Sequence, residues 1–165
     1  MARRVFYSFH YKPDNWRASQ VRKMGAIEGN RPATDNDWET IAKAGEARIK
    51  RWIAEQMYGK SCVVVLIGAN TAGRKWINYE IELGWDEGKG IVGVYIHNLK
   101  NSRGEQAAKG ANPFSEFTHV STGRKMSSIV KAYDPPYTGS VNVYAHIEAN
   151  LGDWVEEALD IRGRH

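Results

Sequence analysis

The chain has 165 residues with one cysteine, Cys62, and a formal net charge of +4. That length suits one domain, residues 1–165, with a sizeable core, and a lone cysteine excludes a disulfide framework and a Cys/His zinc cluster. The positive charges are scattered rather than gathered into a stripe, no nucleic-acid motif is present, and no apolar stretch reaches transmembrane length, so neither nucleic acid nor membrane is an expected partner.

Val5–His10 mixes β-branched and aromatic residues and reads as a first strand. A weakly helical segment follows, with Trp16, Val21 and Met24 as its apolar residues and Gly25 as its stop. The polar run EGNRPATDND is a loop, after which Asp35 or Asn36 caps a helix expected over 37–58, with Trp38 and Trp52 in the core. CVVVLIG at 62–68 and GIVGVYIH at 90–97 are continuous apolar runs, the pattern of strands covered on both faces in a parallel sheet. Between them lies a helix carrying Trp76 and Glu80, so this stretch is a βαβ unit. Lys100–Lys125 reads as a long excursion with an aromatic knot at Phe114 and Phe117. A late strand is expected in Thr118–Val120 or Val141–Tyr144, and a last helix over 145–161. The sum is an α/β fold: doubly wound, with a mainly parallel sheet flanked by helices.

In the middle helix, positions i and i+4 share a face, so Trp76 and Glu80 are neighbours. Ile77, Ile81, Gly84 and Trp85 form the adjoining apolar stripe, while Glu82 and Asp86 face solvent. Glu80 is thus expected at the border of the core, partly shielded but not sealed. Its nearness to the helix N-terminus should favour the ionised form. Spacing alone favours the plainer reading, an amphipathic helix with a glutamate at its edge.

Doubly wound folds bind ligands outside the carboxyl ends of their strands, and here the wall of that crevice would be VFYSFHY. This segment resembles the opening strand of Toll/interleukin-1 receptor (TIR) domains. CVVVLIG, KWINYEI and GKGIVGVYIHN resemble their next two strands and the intervening helix, in which a tryptophan precedes the glutamate of the NAD-cleaving members by four residues. FYSFHYKPDNWRASQVRKMG, EGN, DNDWETI, GVYIHNLK and NPF are most similar to the TIR-like subgroup that includes the ThsB component of the Thoeris anti-phage system. The resemblance runs to about Phe114. The chain departs from TIR domains where His10 and Tyr11 replace a basic pair.

The resemblance implies an enzyme with Glu80 as its catalytic residue. NAD would be the substrate, and neither a cofactor nor a metal is implied. The nicotinamide ring leaves as a neutral molecule, so one carboxylate suffices where ordinary glycosidases need two. It can accept hydrogen bonds from ribose hydroxyls and stabilise the developing oxocarbenium. Capture by water would make the protein a plain NAD glycohydrolase. Capture by an internal nucleophile gives a cyclic ADP-ribose isomer, and the subgroup implies this as an antiviral defence signal read by a separate effector. Self-association on activation and a cytoplasmic location are further expectations; MARRVFYSFHY is too short in its apolar run for a signal peptide.

Ser8, Phe9, His10, Trp76 and Asn30 are the expected substrate-binding residues. Phe9 either stacks on a base or fills the core; His10 either meets phosphate or ribose or is a surface histidine; Asn30 either lines the cleft or serves the turn. Arg17 and Arg22 read as solvated helix arginines with a pyrophosphate as the other possibility, and His97 and Asn98 end a buried strand at the ligand-facing edge. A receiver domain needs acidic residues after the first strand, and a flavodoxin needs a Ser/Thr-rich phosphate loop; both are missing. The rival from another class is a non-catalytic TIR adapter.

Overall fold

The computed structural model describes residues 3–24, 28–29, 41, 43–118 and 123–165. Two runs of β-branched and aliphatic residues build its centre. Strand β3 (Cys62–Ile67) and strand β4 (Gly90–Tyr95) are buried at every position, as their unbroken apolar sequences require. They join β1 (Arg4–Ser8), β2 (Glu28–Gly29) and β5 (Ala132–Tyr133) in a sheet of order β2-β1-β3-β4-β5. Every pairing is parallel, with Ser8 level with Val65 and Val65 level with Gly93.

Side chains alternate across each strand, and helices close both faces. Val5, Tyr7, Val64, Leu66, Val92 and Val94 meet α1 (Tyr11–Arg22) and α4 (Ser140–Gly163). Phe6, Val63, Val65, Ile67 and Ile91 meet α2 (Glu46–Met57) and α3 (Lys75–Asp86). Phe114, on a 3-10 turn at Pro113–Glu116, is fully buried over the second face. Gly93 makes room for it: a Cβ there would stand 2.9 Å from the Phe114 ring and 2.8 Å from Ile67 Cδ1.

Several expected boundaries move. The first strand stops at Ser8, and His10 is the N-cap of α1. The helix expected over 37–58 does not run through Gly45, whose φ of 100° is incompatible with helix, so α2 starts at Glu46. Trp38 and the Asp35/Asn36 cap lie outside the described residues. The late strand is β5, at Ala132–Tyr133, rather than either expected segment. Val141–Tyr144 is helical because α4 starts at Ser140, five residues earlier than expected. Thr118 forms only an isolated bridge with Lys125, and residues 119–120 lie outside the described residues. Trp154 anchors α4 by stacking on Tyr133 at 4.5 Å with the rings 5° from parallel.

Gly84 is where α3 comes closest to the sheet: a Cβ there would stand 2.6 Å from Val63 Cγ2 and 3.0 Å from Ile91 Cδ1. Gly84→Ala should therefore destabilise the protein by about 1–3 kcal/mol despite the better helix propensity of alanine. Urea unfolding checks this; an unchanged midpoint would show that helix and sheet are not in tight contact there.

Candidate active site

The strand order reverses direction at β1, which has β2 on one side and β3 on the other. Doubly wound sheets open a crevice at such a point, outside the carboxyl ends of the strands. Here β1 ends at Ser8, and β3 runs into Gly68, whose N–H donates to Thr71 Oγ1 at 2.8 Å. Ser8 follows Phe6 by two residues and so faces the α3 side.

Helix α3 forms because Ile77, Ile81 and Gly84 repeat at helical spacing and bury one stripe on β3 and β4. Glu80 falls inside that stripe and is only 7% exposed, whereas Glu82 and Asp86 are exposed. This corrects the expectation of a border residue held ionised by the helix dipole. Glu80 is the sixth residue of α3, beyond the first turn where the dipole acts. Burial dominates instead and pushes its carboxyl up to about 8; the neighbouring Ser8 hydroxyl opposes the rise. Glu80 Oε2 and Ser8 Oγ are nevertheless both buried without a completed hydrogen bond.

Unmet hydrogen-bonding capacity gathers at this end of the sheet. Seven buried side-chain polar atoms lack a partner among the described residues. Six belong to strand ends or to the first two turns of the helices that follow them: Ser8, His10, Asp14, Asn78, Glu80 and His97. Native proteins tolerate few such atoms, and a concentration of them at one edge suits groups that a ligand or water satisfies. No cluster of three or more His, Cys, Asp or Glu that could hold a metal ion occurs among the described residues.

The other expected site residues separate. His10 stands at the rim of the crevice. Burial first, then the charges of Arg74 and Lys12, lowers its pKa, so it is neutral at neutral pH. Phe9 packs against the cluster on the opposite face from Glu80 and stacks with Tyr11 at 6.1 Å. Trp76 is half-buried, one helical turn before Glu80, in edge-to-face contact with Tyr79 at 5.7 Å and with Lys75 Nζ 5.1 Å from its ring. Asn30 lies outside the described residues. His97 is buried, with its pKa lowered chiefly by burial, and Asn98 donates to the Tyr137 carbonyl.

The solvated reading of Arg17 and Arg22 is wrong. Arg22 is half-buried, and burial lowers its pKa. Arg17 is 4% exposed and paired with Asp14, itself 1% exposed, at 3.1 Å. Sequence reasoning missed Asp14 altogether. The signal was present as an Asp and an Arg three apart on a weakly amphipathic helix, a spacing that places them on one face.

The folded state binds the Glu80 proton more tightly than the unfolded chain, whose glutamate titrates near 4.5. Stability should therefore fall as pH rises from about 4.5 to about 8. Glu80→Gln removes that loss. It should exceed the parent in stability by roughly 3–5 kcal/mol at pH 8–9 and match it at pH 4–5, where both side chains are neutral. Denaturant titrations at the two pH values decide it: an offset that does not change with pH would mean that Glu80 folds without holding its proton.

Residues 6–101 match the family described as Thoeris protein ThsB, TIR-like domain. A relative from Bacillus cereus (strain MSX-D12), named "Putative cyclic ADP-D-ribose synthase ThsB1", is 33% identical over 133 residues, covering 76% of this chain and 69% of that protein. The family match begins inside β1 and runs past β4, and so includes Ser8, α3 and Glu80. With a parallel sheet flanked by helices and this match over more than half its length, the chain belongs to the ThsB TIR-like domain family.

Proposed function

We propose that this protein is an NAD-processing enzyme that cleaves the nicotinamide–ribose bond at Glu80 and joins the freed ribosyl carbon to an acceptor within the same dinucleotide. One observation carries the reading: the buried Glu80 carboxyl and the buried Ser8 hydroxyl lie side by side at the crevice of the sheet, each with hydrogen-bonding capacity unmet among the described residues. A ribose with two adjacent hydroxyls is the kind of group that satisfies both. The name of the Bacillus cereus relative adds support for the cyclising form of the reaction.

The bond between ribose C1′ and the pyridinium nitrogen breaks, with its electron pair leaving on a now neutral nicotinamide. The ribosyl cation is stabilised by the Glu80 carboxylate, which accepts from the ribose hydroxyls. A nucleophilic atom within the same dinucleotide then bonds to C1′, and the proton it displaces passes to solvent. Exclusion of water from the crevice decides between cyclic and linear product.

Glu80 must be ionised to do this, yet alone it holds its proton up to about pH 8. The pyridinium charge of an incoming NAD favours the carboxylate and drives the proton off. The cyclic product would act through a separate effector. Self-association would close the crevice against water. The EGNRPATDND loop lies mostly outside the described residues.

Glu80→Gln should lower NAD turnover by at least about a hundredfold, as loss of a preorganised electrostatic group does. Chromatography of the products reads this, and full turnover in the variant would remove Glu80 from the chemistry. For the parent, kcat/KM should climb with pH toward a plateau above about 8, because the free enzyme must lose the Glu80 proton. A flat profile between pH 6 and 9 contradicts that. Mass spectrometry should find a product one water lighter than ADP-ribose, and linear ADP-ribose alone would leave a glycohydrolase. Specific activity should rise with enzyme concentration until assembly saturates; constant specific activity over a thousandfold dilution rules assembly out.

A further inference from the structure

A carboxylate and a guanidinium are buried together where three strand exits converge. Arg17 Nε donates to the Leu99 carbonyl at 2.8 Å, Nη2 to the Glu105 carbonyl at 3.0 Å, and Nη1 to the Pro13 carbonyl and Asp14 Oδ1, each at 3.1 Å. One side chain thus ties the first turn of α1 to the segment that leaves β4. Gln20, one turn further along α1, adds a bond to the Lys100 carbonyl at 2.7 Å. The same segment returns over β3: the Ala107 N–H donates to the His97 carbonyl at 2.8 Å, and Gly110 lies so close that a Cβ there would stand 2.8 Å from the Ala69 oxygen.

The Asp14 carboxylate fills the third exit. Its Cγ and Oδ1 stand 2.6 Å from where a Cβ of Gly68 would be, so the pair is seated on bare backbone at the end of β3. Gly68 opens the turn that leads through Thr71 and Arg74 into α3 and Glu80. Asp14 Oδ2 has no partner among the described residues. A buried ion pair is not by itself a source of stability, since apolar residues of similar volume often do as well. What this pair contributes instead is geometry: four directed bonds from a planar fork that no other side chain reproduces.

We propose that Asp14 and Arg17 are positioning residues for the reaction at Glu80, holding the β3–α3 turn and the Leu99–Gly110 strap in the register that sets Glu80 against Ser8. The claim rests on the function proposed above only for its kinetic readout. Reacting groups displaced by about an ångström lose rate by orders of magnitude while binding changes little.

Arg17→Lys keeps the charge and loses the fork; Gly68→Ala keeps both charges and unseats the carboxylate. In each full-length variant, kcat for NAD cleavage should fall at least about tenfold with KM within about threefold. The share of linear ADP-ribose should rise as the strap loosens. The Glu80 titration midpoint, followed by carboxyl-carbon NMR in ligand-free protein, should move by at least about half a pH unit. A variant that keeps its fold, its kcat and the parental Glu80 midpoint would overturn the proposal. So would activity lost only in step with unfolding and regained on cooling. Should both substitutions prevent folding, the near-isosteric Asp14→Asn is judged by the same readouts. If the parent leaves NAD intact while the Glu80 midpoint still shifts in the variants, the enzyme reading fails and the positioning role stands.

Discussion

Strands β3 and β4 are sealed on both faces, and the rest of the structure follows from that. Twelve buried positions, none of them charged, need a cover of helices on each side, and parallel neighbours need helical crossovers to reach them. Polar chemistry has no place along these strands. It can emerge only where they end, and the carboxyl ends are where the helices splay apart. Ser8, Thr71 and His97 lie at or just beyond three such ends.

The same sealing sets a conflict at Glu80. A carboxylate inside the apolar stripe of α3 weakens the fold at any pH where it ionises, because water is excluded and the neighbouring Ser8 hydroxyl offsets only part of the loss. An amphipathic helix has better occupants for that position. Strain of this kind concentrates at functional sites, where a group must stay ready for something the free protein does not supply. The neighbouring Ser8 hydroxyl is short of a partner too, and the simplest resolution of both is a polar ligand that brings its own donors.

The sequence made some parts legible because their signals are local. Continuous apolar runs marked β3 and β4, and the spacing of Ile77, Ile81 and Gly84 marked α3 with Glu80 on it. Other parts were hidden because they depend on distant partners. Arg17 read as a surface arginine since nothing nearby in sequence announces the Leu99 and Glu105 carbonyls, which are 82 and 88 residues away. Glu80 was read as ionised because the dipole is visible in one dimension and burial is not. Strand β5 pairs over only two residues, too few for any periodicity. The start of α4 carries no side-chain cap, so its N-terminal turn gave no sign of itself.

The two outermost strands have a consequence of their own. Among the described residues, β2 and β5 each pair with the sheet over two residues, so neither described edge strand offers a long row of free amide and carbonyl groups as a template. Edge-to-edge growth of the sheet into a ribbon of copies is thereby discouraged, as is the kind of unlimited stacking that ends in fibrils. What the described residues leave for contact between copies is helix faces and loops, where side chains rather than backbone dictate fit. Contacts of that type are specific, saturable and reversible, which is what the self-association proposed above requires.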